Sequence, residues 1–127
     1  MKAGKTFLFK GTTDSKSHLW FTLTDAVDGG GDFLAVPLRT SKSFSDPTLP
    51  LSAGDHPFIK HESSVHFSDA RIFKAAKLKA ALENKTATWH QDASAELMKR
   101  LTEGLLKSPY TVPAIREYCR VKLKENI

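Results

Sequence analysis

At 127 residues, 40% of them hydrophobic and with eight Phe and two Trp among them, the chain can bury one core and is too apolar to stay disordered. A single cysteine, Cys119, excludes an internal disulfide framework and a Cys-rich zinc site, and no apolar run reaches the roughly 18–20 residues that span a bilayer. The 19 Lys and Arg against 14 Asp and Glu leave a net charge of +5, which suits a polyanionic partner.

The opening segment, Met1–Lys10, lacks the apolar core and cleavage site of a signal peptide, so a cytoplasmic protein without membrane contacts is expected. Aromatic and β-branched runs at Thr6–Phe9, Leu19–Leu23 and Phe33–Val36 predict strands, separated by Gly11, Asp14 and the turn Asp28-Gly29-Gly30-Gly31-Asp32. Leu19–Leu23 and Phe33–Leu38 are expected to pair as a hairpin. Between Arg39 and Ser63 the prolines of Asp46-Pro47, Leu49-Pro50-Leu51 and His56-Pro57 forbid a continuous helix and predict a long loop, of the kind that often carries function. Ser64–Phe67 and Ile72-Phe73 supply further strand.

From there the periodicity turns helical. Ala75, Leu78 and Leu82 predict a short amphipathic helix over Lys74–Glu83. A second is expected after Asp92 as N-cap, with Leu97, Met98, Leu101 and Leu105 on one face, weakened or stopped by Gly104, Ser108 and Pro109. A third follows Pro113 and turns Ile115, Tyr118, Cys119 and Leu123 inward. The pattern is α+β: a small antiparallel sheet or barrel over about residues 4–73, then a helical part over about 74–127, in one domain.

Three segments carry a more specific signal: His18-Leu-Trp-Phe-Thr-Leu-Thr-Asp25, Leu34-Ala-Val-Pro-Leu-Arg-Thr-Ser41 and Ser63-Ser-Val-His-Phe-Ser-Asp-Ala-Arg-Ile72. In order and spacing they resemble the PemK/MazF-like toxins, small proteins with an SH3-like barrel that share the fold of the gyrase poison CcdB. The first is similar to the family's Arg-Pro-Val-Val-Val-Val strand and the second to its strand ending in Pro-Ile-Thr or Leu-Thr. The third is similar to Ser-Val-Ile-Leu-Leu-Glu-Gln-Ile-Arg, which also leads into a short helix. The resemblance spans about Gly4 to Leu82. It implies a metal-independent endoribonuclease toxin of a toxin–antitoxin-like system that cuts single-stranded RNA without a cofactor, as a homodimer, with an antitoxin protein as a further partner.

The chain departs from that pattern in places. His18 stands where the family often has Arg, and Arg39 takes the position of the strand-end Thr, with Thr40 next. An ungapped register sets the family's final Arg on Ile72, so Arg71 points to the wrong face unless a bulge restores it. These departures favour the alternative, a non-catalytic PemK-like module that binds nucleic acid or protein.

Metal-free RNA cleavage needs a group to take the 2′-hydroxyl proton, a group to protonate the leaving oxygen, and donors aimed at the charged phosphorane. Histidine suits the first two roles and Arg, Ser or Thr the third. His18 and His61 are therefore the candidate acid and base, Arg39 and Arg71 the phosphate clamps, and Thr40 and Ser64 the oxyanion donors. Lys16, Lys42, His56, Phe58 and Lys60 are candidate RNA contacts, with Phe58 either stacking a base or anchoring its own loop. Asp69 reads either as an aid to binding or as a structural ion-pair partner. His56, His61 and His66, each five apart, match no zinc-site spacing, and no metal is expected.

Overall fold

The computed structural model describes residues 1–10, 17–26, 31–40 and 46–125; Lys16, Lys42 and the expected turn residues Gly11, Asp14 and Asp28–Gly30 lie outside them. The strands are β1 (Thr6–Lys10), β2 (Ser17–Thr22), β3 (Asp32–Thr40), β4 (Pro50–Leu51), β5 (Ser63–Val65), β6 (Arg71–Lys74) and β7 (Ala87–His90). They form one seven-stranded antiparallel sheet in the order β4-β5-β3-β2-β1-β7, with β6 also paired to β3. Helices α1 (Ala75–Glu83), α2 (Ala95–Lys107) and α3 (Pro113–Glu125) complete a mixed α+β chain. The α+β class and the β2–β3 pairing agree with the sequence pattern. Among the described residues no ladder joins β4 to β7, and no helix is long and apolar enough to cross a membrane.

Both faces of the sheet carry a core. Leu19 and Phe21 of β2 and Leu34, Val36 and Leu38 of β3 pack with Leu97, Leu101 and Leu105 of α2 and Cys119 of α3. On the other face Phe7, Trp20, Phe33, Ala35 and Phe73 pack with Leu78 and Ala81 of α1. Phe73 locks this aromatic layer, with its ring 5.0 Å from Trp20, 5.5 Å from Phe33 and 5.6 Å from Phe7. Because β3 is covered on both sides, Phe33 to Leu38 is buried throughout, which is why that run shows no apolar/polar alternation.

One irregularity positions the candidate site. β5 and β6 both pair with β3, but from Val65, opposite Leu38, to Arg71, opposite Ala35, the chain takes six steps where β3 takes three. The surplus is a 3₁₀ turn at Phe67–Asp69, so the strand expected over Ser64–Phe67 ends at Val65. Phe67 anchors the turn, fully buried in the α2 core against Gly104, where an added Cβ would lie 2.6 Å from the Phe67 ring. Gly104, expected to weaken or stop α2, instead lies inside the helix and gives this ring its space.

Other boundaries also differ from expectation. The N-cap of α2 is Ser94, not Asp92: the Ser94 hydroxyl accepts from the Leu97 amide at 3.1 Å. The end of α1 turns through Lys85 at φ 66, with the Thr86 amide donating to the Ala81 carbonyl at 2.9 Å. That cap sends the chain straight back into β7, which pairs with β1. The expected long loop after Arg39 contains the two-residue β4.

Candidate functional site

Three cross-strand pairs fix which candidates share a face: Trp20 with Pro37, Arg39 with Ser64, and Ala35 with Arg71. Alternate residues of a strand point the same way, so His18, Arg39, Ser64 and Arg71 all belong to one face of the sheet. The 3₁₀ turn puts Arg71 there. Without its surplus residues the β5 register would continue to Arg71 opposite Asp32, on the other face.

Around Arg39 the contacts are close and incomplete. Its Nε lies 3.4 Å from Asp69 Oδ2, and the same carboxylate oxygen lies 3.7 Å from His66 Nδ1. Both distances are charge contacts longer than good hydrogen bonds. Arg39 Nε, His66 Nε2 and Ser64 Oγ are buried with no hydrogen-bond partner among the described residues. Ser64 itself is 3% exposed, held between Arg39 on β3 and Pro50 on β4. Burial holds the His66 imidazole below its ordinary pKa of 6.5; Asp69 and Asp46 oppose that shift and Arg39 adds to it. The ring is therefore neutral at pH 7.

Thr40 and His61 meet where the β3–β5 ladder ends, with Thr40 Oγ1 at 3.2 Å from His61 Nε2 and both side chains exposed. Lys60 is exposed next to them. His18 is half-buried on β2, opposite Phe9. Arg71 lies over the Trp20 and Phe73 rings at 5.4 and 5.6 Å. It sits four residues along β3 from Arg39, about 13 Å at the usual rise, so the two guanidinium groups share a face without forming one cluster.

His56 and Phe58 belong to the packing. His56 is 3% exposed; its Nε2 donates to the Gln91 carbonyl at 2.7 Å and its Nδ1 accepts from the Phe58 amide at 3.1 Å. Burial again holds the ring below 6.5, ahead of the opposing hydrogen bond to Gln91. Both ring nitrogens are taken by backbone in the neutral form, so His56, expected to touch RNA, is structural. Phe58 is half-buried against the core, with its ring 5.4 Å from His90, contacts of the kind a loop anchor makes.

The residue that sequence reasoning missed is His66. Its spacing to the other histidines fits no metal site; the informative relation is its i,i+3 spacing to Asp69, which a turn closes. Among the described residues no group of three or more His, Cys, Asp or Glu side chains is arranged to hold a metal ion. No family model matches the chain, and no curated protein matches it either.

Proposed function

We propose that the protein is a metal-independent endoribonuclease that cuts single-stranded RNA, a divergent PemK/MazF-like toxin whose sheet derives from the SH3-like barrel of that family. The observation that carries this reading is the placement of His18, Arg39, Ser64 and Arg71 on one sheet face, with the Thr40–His61 contact where the β3–β5 ladder ends. In the proposed reaction the 2′-hydroxyl attacks the adjacent phosphorus and the 5′-oxygen leaves, giving a cyclic phosphate and a free 5′-hydroxyl. His61 or His18 takes the 2′ proton and the other returns one to the leaving oxygen. Arg39 faces the phosphorane charge with Ser64 as the hydroxyl donor of its own face; Thr40, expected as a second donor, falls by alternation on the opposite face of β3 and meets His61 instead. A homodimer and an antitoxin that occupies the same face belong to this proposal.

The test is a single-stranded RNA incubated with the protein and a chelator, beside a copy carrying a 2′-deoxy sugar at the cleaved position. Cleavage of the first and survival of the second are expected; a cleaved deoxy copy rejects the nucleophile. A second reading is the non-catalytic binding module, favoured by the Arg71 guanidinium lying over Trp20 and Phe73. It expects intact RNA and salt-sensitive binding.

A further inference from the structure

We infer that Asp69 and His66 are positioning residues for Arg39, an inference that rests on the proposed ribonuclease reading. Asp69 meets Arg39 through Nε at 3.4 Å. That charge contact draws the Nε edge of the guanidinium toward Asp69 and leaves the two Nη nitrogens as the donors for an incoming phosphate. The same Asp69 oxygen lies 3.7 Å from His66 Nδ1, so one carboxylate serves two bases.

The arrangement is poorly suited to a purely structural purpose. The Arg39 and Asp69 side chains are 38% and 45% exposed, a setting in which ion pairs add little to stability. Meanwhile Arg39 Nε, His66 Nε2 and Ser64 Oγ stay buried without hydrogen-bond partners among the described residues. Asp69 also ends the 3₁₀ turn, the same device that moves Arg71 to the Arg39 face. One local insertion thus supplies both the second arginine of that face and the carboxylate that orients the first.

His66 governs how much of the carboxylate Arg39 holds. The charged groups around its ring are Asp69 on its own turn, Arg39 on β3 and Asp46 on the segment before β4. With the imidazole neutral, Arg39 is the only cation on the shared Asp69 oxygen among the described residues. A proton on His66 sets a second cation against Asp69 and beside Arg39, which loosens the Arg39 orientation. Activity then falls on acidification even where the acid and base of the reaction keep their charge states.

The test measures kcat and KM for cleavage of a short single-stranded RNA by the full chain in chelator, from pH 5 to 8, with a thermal melt of each variant. Asp69→Asn should lower kcat about 10- to 100-fold, because small misplacements of a catalytic donor have that effect, with KM and the melting temperature little changed. Asp69→Glu should recover part of the loss. His66→Gln should keep most of the rate at pH 8 and flatten the acid side of the kcat profile. Wild-type kcat in Asp69→Asn, or a loss that appears only in KM or only with the melting temperature, overturns the positioning role while leaving the ribonuclease reading in place. A wild-type chain that leaves RNA intact overturns the reading, and this inference with it.

Discussion

Two groups in the molecule use the same three residue types, Arg100–Asp55–His56 and Arg39–Asp69–His66, and they differ in how completely their polar atoms are paired. Asp55 Oδ1 accepts from Arg100 Nη1 at 3.1 Å, Asp55 Oδ2 accepts from the Ser52 amide at 2.8 Å, and both His56 nitrogens are bonded to backbone. At Asp69 the corresponding approaches are 3.4 and 3.7 Å, and the neighbouring Arg39 Nε, His66 Nε2 and Ser64 Oγ are buried without hydrogen-bond partners among the described residues. An unpaired buried polar group costs about 1–3 kcal/mol, and three such atoms lie together around Arg39. The completed group docks the segment before β5 onto α2 and the residues after β7. The incomplete one is the group on which the proposed RNA site is built.

The largest effect should separate the two arginines. Arg39→Ala is expected to lower RNA cleavage about 100- to 1,000-fold with little change in melting temperature, the usual consequence of removing one donor from a developing charge. Arg100→Ala should keep the cleavage rate and lose about 0.5–1 kcal/mol of stability in a denaturant titration, since that pair is partly exposed. Equal losses of activity in both variants would erase the distinction.

Next in size, His56→Ala should destabilise the fold by about 3 kcal/mol, because it strands the Gln91 carbonyl and the Phe58 amide at a buried site. Equilibrium unfolding in urea measures this, and the variant that still folds should cleave at the wild-type rate.

Acid sharpens the comparison further. His56 and His66 are both held below 6.5 in the folded state, so the unfolded chain binds their protons first as the pH falls. Stability is unaffected by them above 6.5 and declines as the pH drops from there through their lowered values. The Asp55 carboxyl, held below 3.8 chiefly by its hydrogen bond to the Ser52 amide, adds its loss only below 3.8. Urea midpoints at pH 7, 6 and 5 should fall for the wild type and fall less for His66→Gln. The smallest effect is at Ser64: its hydroxyl has no hydrogen-bond partner among the described residues, so Ser64→Ala should change stability by less than about 1 kcal/mol while slowing cleavage. A large destabilisation would mean that the hydroxyl is structural.

Much of the sheet was legible because its strands are marked by residue type. The aromatic and β-branched runs at Thr6, Leu19 and Phe33 announced β1, β2 and β3, and the spacing of Leu97, Leu101 and Leu105 announced α2. β7 was not legible, since Ala87-Thr88-Trp89-His90 is short and its pairing with β1 depends on a cap through Lys85, where glycine is the usual signal. The 3₁₀ turn was hidden for a related reason: it exists because Phe67 fits against Gly104, a contact 37 residues away in sequence. That turn decides the site, because the face of Arg71 and the partner of Arg39 both depend on it. His56 and His66 look alike in sequence and separate only once burial and partners are known.

The most direct test of the account is an NMR titration of the full chain with a single-stranded oligonucleotide blocked at the 2′ position, following the histidine rings and arginine Nε resonances. The account predicts shifts at Arg39, His61 and His66 and none at His56 or Arg100. Shifts confined to His56 and Arg100, or an unchanged spectrum at saturating oligonucleotide, would contradict it.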